Sequence, residues 1–459
     1  MSSNLSIDQL AVAPLAEVAS ALQSGQTSSV ELTRRFLASA SDAQGQGSRV
    51  FTELFADQAL AAARASDLLR AAGLARSPLE GIVLAVKDLF DVAGVSTKAG
   101  SFVLKNAPKA QADALIVSRL RAAGAVIIGL TNMTEFAFSG LGLNPHYGTP
   151  LNPWDRETGR IPGGSSSGSA VAVSDAMACA AIGTDTGGSV RIPAALCGLT
   201  GFKPTASRID QTGALPLSPS LDSIGPIARS VQCCALLDAV MAGQCAPRLT
   251  SATAETVVLG MPRQLFMEAV DDDVANAFDR ACGRLRDGGV QIVPIDLPEL
   301  DELPHINHAG GLAAAESWAW HEELLERNAQ HYDPRVAVRI RRGSTQTARD
   351  YIELTRARVN WIRRVTAKIS GVDALVTPTV PRVAPALSAL EIDDELYALT
   401  NMLMLRNPSV INFLDGCAIS LPCHESGQAP VGLMLACASG QDARLLSVGL
   451  LCESLLKAQ

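Results

Sequence analysis

The sequence predicts an α/β fold, and three features carry that reading. Ile82 to Val86, a helix over 110–121 and Ala125 to Leu130 form one β-α-β unit. Val257 to Gly260, Asp272 to Arg286 and Val290 to Pro294 form another, and such alternation builds parallel pairing through crossover helices. With 459 residues, 47% hydrophobic and 18% charged, the chain can bury a large core, in one big domain or two to three ordinary ones.

Residues 8–72 read as helices. Leu15 to Leu22 and Ser29 to Leu37 each show apolar residues three and four apart, the second behind a Ser/Thr cap, and Asp57 to Ala72 is an alanine-rich amphipathic stretch. The buried strand Ile82 to Val86 then delivers Lys87 to its C-terminal edge, where open α/β sheets place ligands. A charge embedded at the end of an apolar strand must be paired or neutralised, which makes Lys87 a candidate and leaves Asp88 beside it as either a helper or an exposed turn carboxylate. The glycine-rich loop from Thr131 to Pro150 carries Phe136, Phe138, Leu141, Leu143 and Tyr147, which suit a pocket wall or simple loop packing equally. Further on, Cys197 to Thr205 and Leu215 to Pro226 are strand-turn segments, and Val231 to Ala242 is a helix. Residues 303–370 are mainly helical, with the basic run Arg335 to Arg342 read as a solvated helix face. Ala374 to Thr379 and Val431 to Ala436 are late buried strands.

Composition narrows the function. A net charge of −8 without a basic, aromatic-interleaved run disfavours nucleic acid and suits a small, weakly charged partner. The N-terminus lacks a basic and apolar leader, and no stretch of about 18 uncharged apolar residues exists, so the expectation is a cytoplasmic protein without a membrane partner. Ten cysteines lie mostly in apolar segments without C-x-x-C spacing, as buried reduced thiols do; neither a metal nor a cofactor is expected.

The stretch Ile161 to Pro193 holds two Gly/Ser clusters, Gly163-Gly164-Ser165-Ser166-Ser167-Gly168 and Thr186-Gly187-Gly188-Ser189, around small apolar residues read as a short helical segment. A phosphate loop would need lysine after Gly168, where Ser169 stands. Gly164 to Gly168 formally matches a nucleophile elbow, but a loop from Asn152 to Arg160 precedes it instead of a strand. A serine driven by a second hydroxyl and a lysine remains, beside a histidine-dependent reading through Ser166 and His424, a non-catalytic scaffold and a flexible linker.

Lys87-Asp88, the Gly163 to Ser166 cluster and Gly183-Thr184-Asp185-Thr186-Gly187-Gly188-Ser189-Val190-Arg191-Ile192-Pro193 together resemble the amidase signature family of serine hydrolases. The resemblance extends through Thr131 to Phe136, Phe202 to Thr205, Leu221 to Pro226 and Thr377 to Thr379, and ends near Leu433. It implies one α/β domain over 1–459 with a large mixed sheet wrapped by helices. Its parts are N-terminal helices (about 8–72), a catalytic core (about 79–242) and a C-terminal α/β portion (about 256–459). It implies Ser189 as the acylated nucleophile, Ser165 beside a cis peptide bond as the bridging serine, 24 positions before it, and Lys87 as base. The amides of Thr186, Gly187, Gly188 and Ser189 then form the oxyanion hole, and Phe136 and Ala137 line the acyl pocket. Pocket size is expected to depend on 300–345 and 400–415, where the resemblance is thinnest, and Leu130 stands where many members carry lysine. A small-molecule amide is the implied partner, a homodimer is compatible with the family, and the second activity to weigh is the glutaminase component of a tRNA-dependent amidotransferase.

The chemistry makes physical sense from these residue types. A serine hydroxyl needs a base within hydrogen-bond reach. Lysine at its ordinary pKa is neutral in about one molecule in two thousand at pH 7, so Lys87 must be desolvated to serve. Asp185 and Arg191 are placed to pair and fix the Gly187-Gly188 turn.

Overall fold

The computed structural model describes residues 5–245 and 249–457. Its strands are β1 (Phe51–Leu54), β2 (Val83–Lys87), β3 (Val126–Thr131), β4 (Ala180–Thr184), β5 (Thr200–Lys203), β6 (Ile224–Ala228), β7 (Val258–Pro262), β8 (Gln291–Ile295), β9 (Ala374–Pro378), β10 (Cys417–Pro422) and β11 (Gly432–Cys437). They form a single eleven-stranded sheet in the order β1-β3-β2-β4-β6-β5-β10-β11-β9-β7-β8.

Both expected β-α-β units are present and parallel. β2 pairs with β3 through the helix Leu115–Ala122, and β7 pairs with β8 through the helix Asp272–Asp287. The centre of the sheet is antiparallel from β4 through β6, β5, β10 and β11 to β9, so the sheet is mixed, as the family resemblance implied. β2, β3 and β4 are buried along their whole length, which is why they read as unbroken apolar runs with no alternation.

Helices cover both faces. Ser29–Ala40, with a capping box between Ser28 and Glu31, packs on Ala56–Ala71 over the β2–β3 end, and Val231–Met241 and Asp442–Lys457 lie over β6 and β10. The small apolar run after Gly168 divides in two: Ser167–Ser174 is helical and packs against β2 and β4, and Ala180–Thr184 is β4 itself. β1, β4 and β10 are strands that the sequence reading did not separate.

Two expectations are corrected. Asp88 is not an exposed turn carboxylate: it is fully buried and accepts the Lys98 amide at 3.2 Å, closing the loop that follows β2. Arg335 to Arg342 is not a wholly solvated face. In the helix Pro334–Arg341 the side chains of Val336, Ala337 and Ile340 are buried, and Arg339, on that same face, sits half-buried over the Phe138 ring.

Candidate active site

Two neighbouring parallel strands aim their last residues at one point. β2 and β4 pair with Val86 opposite Ile182, so Lys87 and Thr184 emerge side by side at their C-terminal ends. Lys87 Nζ lies 2.9 Å from Thr184 Oγ1 and 2.7 Å from Ser165 Oγ. Ser165 follows a cis peptide bond from Gly164, and its carbonyl accepts the Thr134 amide at 3.0 Å, which ties the turn to the segment after β3. Gly164 is required there by contact: a Cβ on it would stand 2.5 Å from the Gly142 nitrogen. The Ser166 amide donates to the Ser189 carbonyl at 3.2 Å, which brings the two Gly/Ser turns together.

A buried charge network holds the second turn. Asp185 receives the backbone amides of Gly188 at 2.8 Å, Val190 at 3.2 Å and Arg191 at 3.4 Å. Its carboxylate also takes Arg191 Nη2 at 2.8 Å and Nε at 3.0 Å, so the expected Asp185–Arg191 pair is formed, with both side chains fully buried. Asn412, from the distant helix Asp394–Phe413, donates to Asp185 Oδ1 and accepts from Arg191 Nη2 at 2.6 Å. Thr186 Oγ1 donates to the buried Asp222, which also accepts the amides of Leu217 and Ser218.

This arrangement changes the amides on offer. The Gly188 N–H is committed to Asp185, whereas those of Thr186, Gly187 and Ser189 make no hydrogen bond with another described residue. Gly188 shapes the turn instead: its φ is +126°, and a Cβ there would meet Pro408 Cγ at 2.6 Å and Ile192 Cδ1 at 2.7 Å.

Burial sets the charges. Desolvation pushes Lys87 down from 10.5 to about 7, with Asp222 and Asp185 holding it from falling further. Asp222, also desolvated, is pushed up to about 6 despite its bonds to Thr186, Ser218 and Leu217. Burial alone would raise Asp185, but the Arg191 guanidinium beside it keeps the carboxyl well below the usual range. The base candidate is therefore neutral in a large fraction of molecules near pH 7, and the carboxylate that holds the Gly188 turn stays ionised.

Ser189, 3% exposed, opens onto a cavity of about 440 Å³. It is lined by Ala137, Phe138, Thr186 and Gly187 and by a second group that includes Asn307, Gly310, Arg339, Met402 and Arg406. These come from the 300–345 and 400–415 segments expected to set pocket size. A second chamber of about 370 Å³ adjoins it, sharing eight of its sixteen lining residues, Thr186, Leu221 and Arg406 among them, and adds Leu265, Leu300, Leu303, Leu312, Val410 and Phe413. Of the two expected acyl-pocket residues, Ala137 lines the cavity, whereas the Phe136 ring packs on His321 at 4.4 Å and Tyr332 at 5.3 Å. Ser166 donates to the Thr184 carbonyl and His424 lies against Gly198, so no Ser166–His424 pair exists. Thr184, Asn412 and Arg406 escaped the sequence reading, and Arg339 was placed on a solvated face. Thr184 carried a signal, as the polar residue ending an apolar run beside the Gly/Ser turn.

The family model described as Amidase matches residues 31–446. A 2-amino-5-chloromuconic acid deaminase from Comamonas testosteroni is 36% identical over 405 residues, 87% of each chain. One component of the glutamyl-tRNA(Gln) amidotransferase of Chloroflexus aggregans is 36% identical over 463 residues, 94% of this chain and 93% of its own. Among solved structures, an amidase superposes with TM-score 0.86 at 32% identity, covering 96% of this chain and 99% of its own. The native peptide amidase of Stenotrophomonas maltophilia superposes with TM-score 0.80 at 26% identity, covering 97% of each. A buried lysine bonded to one serine, a second serine at a cavity, and matches of this length converge on one conclusion: the chain belongs to the amidase family and is an amidohydrolase.

Proposed function

We propose that the protein hydrolyses a small-molecule carboxamide to a carboxylate and ammonia or an amine through a Ser189 acyl-enzyme. The observation that carries this reading is the fully buried Lys87 amine 2.7 Å from Ser165 Oγ, in a turn joined to that of Ser189. Neutral Lys87 takes the Ser165 proton while Ser165 takes that of Ser189, whose oxygen bonds to the amide carbon. The tetrahedral oxygen is received by the amides of Thr186, Gly187 and Ser189, each such donor typically contributing about 3–4 kcal/mol. As the C–N bond breaks, Lys87 returns the proton through Ser165 to the leaving nitrogen; water then attacks the acyl carbon along the reverse route and releases the carboxylate. No hydrogen bond joins the Ser165 and Ser189 hydroxyls here, and bonds of this kind commonly tighten only around substrate.

The alternative is the glutaminase component of a tRNA-dependent amidotransferase, supported by the similarity to the Chloroflexus aggregans protein. Against it, no aspartate or glutamate is among the residues lining either chamber, so none faces the α-ammonium of glutamine. The test is ammonia release by the purified chain alone from a panel of aliphatic and aryl amides and from glutamine, with Ser189→Ala as control. Turnover of simple amides, lost by more than about 10³-fold in the variant, supports the reading. Turnover of glutamine alone, or dependence on a second protein, assigns the alternative.

A further inference from the structure

Glu135 is a fully buried carboxylate that the proposed chemistry does not use. Among the described residues no lysine or arginine pairs with it, and its one ion-pair partner is His146, whose Nε2 lies 2.9 Å from Oε1. A carboxylate in such a place is costly unless its oxygens are occupied, and here they are. Ser101 Oγ, which accepts the Val103 amide and so has its proton to give, donates to Oε1 at 2.7 Å. Oε2 takes the Asp333 amide at 2.7 Å, from 198 positions further along the chain. One side chain thereby joins the loop after β2, the loop after β3 and the start of the helix Pro334–Arg341, whose N-cap is Asp333.

The residues that follow Glu135 give this joint its importance. Phe136 and Ala137 have φ of +49° and +60°, two successive left-handed residues that are not glycine, and such a pair persists only where its surroundings hold it. Just before the pair, Oε2 of Glu135 is bonded to the Asp333 amide; just after it, the Phe138 carbonyl accepts from Arg339 of the same helix at 2.6 Å. The strained strip is thus fastened to one helix at both ends, and Ala137 and Phe138 within it line the Ser189 cavity. We infer that Glu135 is a positioning residue for the hydrolysis: by fixing the strip 135–138 to the helix Pro334–Arg341, it sets the part of the cavity wall against which the substrate lies. This rests on the reaction proposed above and adds the residue that shapes its pocket. The turn before Ser189 has separate anchors in Asp185 and Asn412, so loss of Glu135 misplaces the substrate and leaves the serine reactive.

Two variants of nearly equal length test the role of the oxygens. Glu135→Gln can turn its carbonyl to the Asp333 amide and its NH2 to Ser101 Oγ, whereas Glu135→Met offers no acceptor. For each, kcat/KM for the amide that the wild type hydrolyses best is divided by the rate constant for labelling of Ser189 with a small alkyl fluorophosphonate. Only Ser189 that the reagent labels is counted, so unfolded molecules drop out of both quantities. The ratio should fall at least about ten-fold in Glu135→Met and stay within about three-fold of wild type in Glu135→Gln. An unchanged ratio in Glu135→Met, or an equal fall in both variants, overturns the inference while the hydrolytic reading stands. If Glu135→Met does not fold, Ser101→Ala combined with His146→Leu strips the carboxylate of two of its three partners and decides instead: a fall of at least about three-fold supports the inference and no fall overturns it. A wild type that hydrolyses no amide overturns the hydrolytic reading; labelling by a phenyl-bearing fluorophosphonate, which must lie against the same wall, then replaces the amide in the ratio. Absence of any labelling in the wild type overturns both.

Discussion

Lys87 Nζ and Ser165 Oγ lie 2.7 Å apart although 78 positions separate them in the chain. Neither is exposed to solvent, and the lysine's other bond goes to Thr184 rather than to a carboxylate. An ordinarily cationic amine is thus brought toward its neutral form by taking its water away and withholding an ion pair.

Activity should follow the neutral form of that amine. With Lys87 titrating at about 7, kcat/KM rises with pH through that region and levels off above it. The measurement is a pH–rate profile of amide hydrolysis with enzyme held stable across the range. A rising limb centred near 10 would show the working base to be an ordinary solvated lysine instead of the desolvated one, and no pH dependence from 6 to 9 would contradict a base titrating at about 7.

The same desolvation has a stability cost whose sign is fixed. The folded-state value, about 7, is below the 10.5 of free lysine, so the unfolded chain binds the extra proton between the two. The penalty is complete below pH 7, shrinks as pH rises and disappears above 10.5. Lys87→Met should therefore be inactive yet more stable than wild type at pH 6 by on the order of a few kcal/mol, the gap narrowing toward pH 9. Denaturant unfolding at both pH values checks this; a variant equally or less stable at pH 6 contradicts it.

Arg191→Met leaves Asp185 as a buried charge hydrogen-bonded only to neutral donors. Removing one partner of such a pair typically costs about 3–5 kcal/mol. Because Asp185 also holds the Gly188, Val190 and Arg191 amides, hydrolysis should fall together with the unfolding midpoint. Normal activity in a destabilised variant would show that the turn keeps its shape without the pair.

Gly188→Ala places a methyl group 2.6 Å from Pro408 on a backbone with φ of +126°, so the turn must move. Ser189 is the next residue, and its reaction with an active-site-directed fluorophosphonate should slow by at least about ten-fold while circular dichroism stays native. Unchanged labelling would mean that the helix carrying Pro408 yields instead.

Much of this site was legible because its residues sit where an apolar run ends. Lys87 closes a strand that is buried on both faces, and Ser165 and Ser189 lie in Gly/Ser turns that bound the next strand. β4 itself was not separable: a five-residue run of small apolar side chains has no period to tell strand from helix, and the turn at 175–179 that divides it carries no proline or glycine. Asn412 was invisible because its role comes from a helix packed against the turn from far along the chain. Arg339 was misassigned by weighing charge over spacing, since it sits three residues after Val336 and one before Ile340, both buried. The four amides expected to form an oxyanion hole illustrate the limit of motif reasoning: the Asp185 side chain takes that of Gly188, which no motif announces.

The bonds from Asn412 to Asp185 have a consequence for synthesis. They span 227 residues, and they hold in place the turn that precedes Ser189. At about 5–20 residues per second, a ribosome needs on the order of ten to forty-five seconds to make that intervening polypeptide. Until then the emerging chain carries this turn without the Asn412 bonds, so the clamp on it is completed only near the end of translation.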